Sequence, residues 1–297
     1  MSRIRLFESR GLSEADRLAG LHQEMVTPLA RVGRWRRERP HVENHAVLIW
    51  IPRGQGRITT LAKTRGYAPA TAIVLPPRTP FAIQPGAMTE GSLTRLPDLF
   101  EAPMPSEPRT LRVSDMATQG ELSGLLDRLG RAGDLADPPT GRAALARVIL
   151  LSALVERIDR LHPDRPRNAA DRLAAAFARA VEDRLCEGLR LEDMAGLLDV
   201  TPTHLTRTIR ATCGITAARY MSERVMHEAR RRLADTDDSA ATIAAALGFG
   251  SAAYFTRAFG RVTGETPSAF RKRERRVAVA SPATSRPDRG PRSRAIV

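Results

Sequence analysis

The sequence predicts an α+β protein, in which an antiparallel β-barrel or sandwich precedes an all-α region with two helix-turn-helix motifs. Residues from His45 to about Val113 contain short β-branched runs separated by Gly and Pro, such as HAVLIWI and TAIVLPP, which is typical of short antiparallel strands. After Gln119 the apolar residues recur with helical spacing instead. Finally, a segment of the helical region is repeated fifty residues later in the chain.

The repeat pairs Thr206–Tyr220, TRTIRATCGITAARY, with Thr256–Phe270, TRAFGRVTGETPSAF. Several positions are identical in the two copies, and others keep an apolar side chain. The identical pairs are Thr206/Thr256, Arg207/Arg257, Gly214/Gly264 and Thr216/Thr266. Ordinary composition gives roughly one identity in fifteen positions by chance. A duplicated supersecondary unit therefore explains the repeat.

The net charge of the chain is +14, and the positive charge is densest in the C-terminal third. Residues 188–297 contain 19 Arg and Lys against 11 Asp and Glu. A basic region of this kind favours contact with a polyanion. High Ala, Arg, Gly and Pro content is also typical of a GC-rich bacterial genome, which raises the charge for reasons unrelated to binding. The charge alone therefore does not establish a partner.

Enzyme motifs, targeting signals and metal-like cysteine spacing are not found in the sequence. Cys186 and Cys213 have no CxxC or metal-ligand spacing, as expected of a reduced cytosolic protein. No apolar run approaches the roughly twenty residues that span a bilayer, and MSRIRLFESRGL lacks a signal-peptide core. There is no P-loop, dinucleotide fingerprint or nucleophile motif. We expect a cytoplasmic, non-enzymatic protein without a cofactor.

Helical spacing predicts a short helix at Ser13–Met25 and further helices at Glu121–Leu129, Arg142–Leu161 and Ala169–Leu185. The apolar face of Arg142–Leu161 is too wide for a surface helix, so it lies beneath the barrel or pairs with a second subunit. The Pro-containing run HPDRPRN breaks the pattern after it. The predicted segments are a sheet domain (1–118), a dimerising helical segment (119–161), a linker (162–170), a helical domain (171–273) and a disordered basic tail (274–297).

The helix-turn-helix units are predicted at about 191–212 and 240–262. In each, a short helix ends at a turn, Asp199 or Gly248, and a second helix begins at a hydroxyl cap, Thr201 or Ser251. The outward faces of the two second helices present Thr203, His204, Thr206, Arg207 and Arg210, and Ala252, Ala253, Thr256, Arg257 and Arg261. Tyr220–Leu233 is predicted as one helix between the units.

Such a face suits the major groove of DNA. Arginine forms paired hydrogen bonds with guanine O6 and N7, and threonine offers both a hydroxyl and a methyl group. Two rigidly joined units would enter successive grooves about 34 Å apart. The alternative is a pair of helical hairpins for protein contacts, with Arg207 and Arg257 merely solvated. The matched Arg and Thr positions favour DNA.

The region Asp171–Arg273 resembles the DNA-binding domain of the AraC/XylS family of bacterial transcription regulators. The motifs that carry the resemblance are IAAALGF, YFTRAF and TGETP, between residues 243 and 267. It implies base-reading positions at Thr203, Thr206 and Arg207, and at Ala252, Ala253, Thr256 and Arg257. It also implies a homodimer that binds double-stranded operator DNA and acts as an activator, which is the tendency of the family. RNA polymerase is a further candidate partner. Val225 departs from the family, which often has a phosphate-contacting arginine there.

The N-terminal half is similar to the family's sensor domain, a cupin-like β-barrel followed by dimerising helices. Strand spacing and the run IVLPPRTPFAI carry this resemblance, and the layout is similar to regulators of aromatic-acid catabolism. It implies a small-molecule effector such as a small carboxylate or aromatic acid. The candidate effector-binding residues are His45, Trp50, Arg53 and Arg78, with Arg as the carboxylate partner.

Metal binding is not expected, although cupin enzymes use histidine ligands. His41, Glu43 and His45 precede the first barrel strand, but no third histidine follows within the barrel, so the ligand set is incomplete. Two alternatives to an effector-responsive regulator stay open. One is a cupin-type metal enzyme with a helical appendage, and the other is an effector-independent dimeric regulator.

Overall fold

The computed structural model describes residues 17–18, 21–25, 34–99, 101–163, 167–188 and 190–280. The strands are β1 His22–Met25, β2 Ala46–Arg53, β3 Gly56–Thr60, β4 Lys63–Tyr67, β5 Thr71–Leu75, β6 Phe81–Pro85, β7 Glu90–Leu96 and β8 Arg109–Arg112. The helices are α1 Arg34–Glu38, α2 Met116–Gly130, α3 Pro138–Arg160, α4 Ala169–Asp183, α5 Leu191–Leu197, α6 Pro202–Cys213, α7 Ala217–Asp235, α8 Ala240–Ala246, α9 Ala252–Thr263 and α10 Pro267–Ala280. None of these helices has the length and apolar character needed to cross a membrane.

The strands form two antiparallel sheets, in the orders β1-β7-β2-β5-β8 and β4-β3-β6. Alternate side chains of the strands meet between the sheets and form a buried apolar cluster. Its members are Val47, Ile49, Ile51, Ile58, Tyr67, Ile73, Leu75, Phe81, Ile83 and Leu93. No ladder joins the two sheets among the described strands. The structure therefore shows packed sheets, and the closed cupin-like barrel stays a prediction.

Helices α2 and α3 cover the outer face of the larger sheet. Leu48 and Trp50 of β2 lie in one cluster with Leu126 of α2 and Val148 of α3. This packing explains why α3 has a wide apolar face, because the sheet and α2 both contact it. Leu150 of α3 nevertheless stays 59% exposed.

Two predictions at the chain ends are wrong. The helix predicted at Ser13–Met25 ends instead in the strand β1, which pairs with β7 and satisfies the backbone groups of that sheet edge. Residues 13–16 and 19–20 lie outside the described residues. The tail was predicted to be disordered from residue 274, but α10 continues to Ala280, and its Glu274 is buried and pairs with Arg273. The remainder, 281–297, lies outside the described residues.

The β3–β4 hairpin inserts its tip into the helical domain. Leu61 and Ala62 form the turn with φ values of 49° and 54°, as both central residues of a type I′ turn require. Both are buried in the cluster that contains Phe177 of α4 and Leu205 and Ile209 of α6. The tip of a sheet hairpin thus completes the core of the first helix-turn-helix unit.

Polar contacts fix this hairpin at both sides of its tip. The Thr212 hydroxyl donates to the carbonyl of Ala62 at 2.9 Å, and the Thr64 hydroxyl donates to the carbonyl of Cys213 at 3.2 Å. Lys63 forms an ion pair with Asp171 of α4. The sheet domain and the first unit therefore meet across a specific interface, in addition to the predicted linker.

Helix α1 makes a second contact with the helical domain, at α7 and α10. The Trp35 ring lies 5.4 Å from the rings of both His227 of α7 and Phe270 of α10. Arg36 pairs with Asp235 at 2.9 Å. The N-terminal region thus contacts the helical domain at two separate places.

Candidate nucleic-acid interface

In the first helix-turn-helix unit, helix α5 packs on α6 through Met194 of α5 and Leu205 and Ile209 of α6, which are all at most 1% exposed. Asp199 takes the turn with φ 52°, a conformation that Asp tolerates better than most residues. The Thr201 hydroxyl then accepts a hydrogen bond from the backbone N–H of His204 at 3.2 Å. The local sequence therefore fixes where α6 begins.

The second unit has the same construction in α8 and α9. Gly248 takes the turn with φ 73°, and the Ser251 hydroxyl accepts from the N–H of Tyr254 at 3.2 Å. Phe255 and Phe259 are fully buried, as are the matching anchors of α6. The turn is one residue longer here.

The repeat continues past the second helix of each unit. Helices α6 and α9 both end at a left-handed glycine, Gly214 with φ 81° and Gly264 with φ 80°. The hydroxyls of Thr216 and Thr266 then cap α7 and α10, each accepting a backbone N–H at 3.3 Å. The duplicated sequence therefore builds a duplicated structure.

The structure leaves most of the predicted DNA-contacting side chains open to solvent. The exposed members are Thr203, His204, Arg207, Arg210, Ala252, Ala253, Arg257 and Arg261. Thr206 and Thr256 are half-buried, and the Thr256 hydroxyl donates to the carbonyl of Ala252 at 2.9 Å. Arg207 Nη2 lies 3.3 Å from His204 Nδ1. Both matched arginines are thus accessible from outside the protein.

Arg224 of α7 holds the linker helix to α4. It is 3% exposed, and its Nη2 donates to Glu182 Oε2 at 2.8 Å. Burial raises the pKa of the Glu182 carboxyl, although the Arg224 charge acts in the opposite direction. Val225 stands where the family often has a phosphate-contacting arginine. The neighbouring Arg224 cannot replace that arginine, because its guanidinium is held in an internal ion pair.

The segment just before the first unit touches the second unit at a pair of glycines, of which only Gly248 was identified from the sequence. Gly188 has φ 64°, and a Cβ atom added to Gly248 would lie 2.5 Å from the backbone nitrogen of Gly188. Only residues without a Cβ permit this approach. Gly188 follows α4 with no local pattern around it, whereas Gly248 was found because it ends a helix.

The four candidate effector-binding residues do not line one pocket. The Trp50 side chain faces the helices and donates from Nε1 to Ser123 Oγ at 2.9 Å. Arg53 and His45 lie at opposite ends of β2, about 25 Å apart at the usual rise per residue. Arg78 is 66% exposed in the β5–β6 turn and 3.8 Å from Asp183.

Within the described residues there is no group of three or more His, Cys, Asp or Glu suited to a metal ion. Glu43, a candidate ligand, instead accepts two hydrogen bonds from Arg95 at 2.7 and 2.8 Å. Burial raises the pKa of Glu43, but Arg95 more than compensates, so the pKa lies below its ordinary value. This carboxylate serves an ion pair in the sheet domain.

Comparison with known proteins identifies the family of this chain. A family model described as a helix-turn-helix domain matches residues 194–273. The probable transcription factor PqrA of Proteus vulgaris is 34% identical over 86 residues, which are 29% of this chain and 70% of PqrA. The chain belongs to the AraC/XylS family of transcriptional regulators.

Other relatives of this AraC/XylS-family chain match over a similar share of its length. The bifunctional transcriptional activator/DNA repair enzyme AdaA of Bacillus subtilis is 33% identical over 92 residues, 31% of this chain. The match spans only 44% of AdaA, and 37% of the next relative, the regulator YisR of the same organism. A solved regulator with an AraC-type DNA-binding domain from Chromobacterium violaceum is 25% identical, with a TM-score of 0.33 over 36% of this chain and 96% of that one.

Proposed function

We propose that this protein binds operator DNA sequence-specifically and regulates transcription, with α6 and α9 entering two successive major grooves. The observation that supports this most is that the two helices have the same construction. Each begins at a hydroxyl cap, is anchored by two buried side chains and exposes an arginine at the matched position, Arg207 or Arg257. A face of this kind combines base-edge hydrogen bonding with phosphate contact.

The two units contribute differently in this proposal. The first presents His204, Arg207 and Arg210 on one exposed side of α6, and reads base edges. The second presents Ala252 and Ala253 near the start of α9, where side chains meet bases in a recognition helix. Alanine offers only a methyl contact, so this unit supplies position and affinity more than discrimination.

We further infer a homodimer that responds to a small carboxylate or aromatic acid and acts as an activator. Leu150 supports pairing of two chains through the helical segment, because this large apolar side chain of α3 stays exposed among the described residues. The hairpin tip at Leu61 and the α1 contact at Trp35 supply routes by which the sheet domain controls each unit.

A second candidate is a dimeric regulator that needs no effector. The filled interior between the sheets and the separation of the four candidate effector residues favour it. Calorimetry of the full chain with 4-hydroxybenzoate separates the two. Saturable heat supports the effector-responsive regulator, and its absence across a panel of aromatic and aliphatic acids supports the effector-independent one.

Replacement of Arg207 tests the DNA-binding assignment. An operator selected from random duplexes and a scrambled duplex are titrated by fluorescence anisotropy. We expect Arg207→Ala to reduce the difference in binding free energy between the two by about 1–3 kcal/mol per lost base contact. Arg128→Ala, which removes an exposed arginine of α2, is the control and should leave that difference unchanged. If Arg207→Ala weakens both duplexes equally, Arg207 contacts phosphate and the assignment is wrong.

A further inference from the structure

A cavity of about 400 Å³ lies along α7, between the two helix-turn-helix units. Met194 lines it from the first unit and Leu185 from the segment just before that unit, and Phe249 and Tyr254 line it from the second unit. Met221 of α7 lies between these walls. The cavity therefore belongs to neither unit alone, and its shape depends on how the two are placed.

The lining of this cavity is apolar, with cations and no acid. Met194, Met221 and Met226 give it polarizable side chains that adapt to a ligand's shape. Its charged groups are Arg184 and Arg261, and none of the described lining residues is acidic. A mostly apolar concavity of roughly 300–1,000 Å³ with a few polar groups is typical of sites for small organic ligands.

Exposed apolar surface at the cavity is a second, separate observation. Tyr254 is 51% exposed and Val262 is 38% exposed, although both are large and apolar. An apolar ligand in the cavity would cover them. The contact between Gly188 and Gly248 also borders the cavity, so the same ligand would touch the point where the two units meet.

We propose that this cavity binds an apolar monocarboxylate. Its ring or chain packs against the methionines and Tyr254, and its carboxylate pairs with Arg261. Arg184 is the less available cation, because Glu187 lies 3.6 Å from it, whereas no described carboxylate lies within ion-pair distance of Arg261. This site lies in the helical domain, and its lining includes none of the residues that the sequence suggested for an effector.

Occupancy of the site opposes DNA binding, a step that rests on the proposed function. Arg261 lies on the exposed side of α9, where it would approach a phosphate. A guanidinium paired with a ligand carboxylate is not free for that phosphate. Because linkage is reciprocal, bound DNA lowers the affinity for the ligand by the same factor by which the bound ligand lowers the affinity for DNA.

Calorimetry of the full chain with 2-naphthoate, in the absence of DNA, tests the site itself. We expect saturable binding that Arg261→Gln weakens about ten- to hundredfold, as loss of a charged hydrogen bond does. Arg210→Gln removes an exposed arginine of α6 outside the cavity and should leave the affinity unchanged. Neutral 2-naphthamide should bind the parent protein more weakly by a similar factor and be insensitive to Arg261→Gln.

Ala258→Trp is a second variant, which fills the cavity and should abolish naphthoate binding while circular dichroism confirms the helical fold. Absence of saturable binding by the parent protein, or equal binding by the parent, Arg261→Gln and Ala258→Trp, would overturn the site.

Anisotropy titrations with the selected operator then test the antagonism. Saturating naphthoate should weaken operator binding by the parent protein but not by Arg261→Gln. If naphthoate binds and operator affinity does not change, the antagonism is wrong while the site stands. Failure of the parent protein to bind any duplex specifically would instead refute the proposed function.

Discussion

The contact between Gly188 and Gly248 gives a quantitative handle on how the two units are held. In Gly248→Ala, the new Cβ would lie 2.5 and 2.8 Å from backbone atoms of Gly188, whereas ordinary contact begins at 3.4 Å. The units must therefore separate by about 0.9 Å or the backbone must distort. Overpacking of this kind costs about 1–3 kcal/mol. The left-handed φ of 73° adds about 1–2 kcal/mol for a residue with a Cβ.

Two other glycines separate these contributions. Gly264 has φ 80° with nothing within 4 Å of an added Cβ, so Gly264→Ala should cost only the conformational part. Gly250, which has equally open surroundings and no positive φ, should tolerate alanine at little cost. Urea unfolding should rank the variants, from most to least stable, as Gly250→Ala, Gly264→Ala and Gly248→Ala.

Operator binding by the same variants gives the functional result. If the two units must bind the duplex together, displacing one of them lowers the extra affinity that simultaneous binding provides. Gly248→Ala should then bind the operator at least about tenfold more weakly than Gly264→Ala. Equal stability and equal operator affinity of these two variants would refute the inference that the glycine contact sets the spacing.

Two further predictions concern α7 and the cysteines. Arg224→Met should reduce the free energy of unfolding by about 3–5 kcal/mol, because it leaves the Glu182 carboxylate buried without a cation. Adding Glu182→Met should restore most of the lost stability. An unchanged urea midpoint in the single variant would show that the ion pair contributes nothing. Burial raises the pKa of the Cys213 thiol to about 11. At pH 8 a thiol reagent should therefore label exposed Cys186 in the folded protein and Cys213 only after unfolding. Equal labelling rates of the two cysteines would contradict the burial of Cys213.

The helix-turn-helix units could be predicted because their signals are local. A hydroxyl cap such as Thr201, a turn residue such as Gly248 and anchors four residues apart are all readable within a dozen residues. The sheet order could not be predicted, since β2 pairs with β5 and β7, and strands of the other sheet lie between them in the sequence. Likewise, β1 is a strand only because β7 offers it an edge.

The contacts between the domains were also missed. The run RITTLAKTRGY suggests a strand that continues through Leu61, but the chain turns there, and the apolar tip enters another domain. Apolar residues at a hairpin tip, where Gly or Asn is usual, are the signal that would have indicated a buried turn. Trp35 lies in a polar, arginine-rich segment, and nothing local connects it with Phe270.

A hydroxyl-radical footprint combined with guanine methylation interference, on the selected operator, tests the central proposal most directly. It predicts two contact sets on one face of the duplex, centred about 10–10.5 base pairs apart. Arg207→Ala should erase guanine interference in one set and Arg257→Ala in the other. Contacts confined to a single groove, contacts on opposite faces, or loss of the same set in both variants would contradict the account.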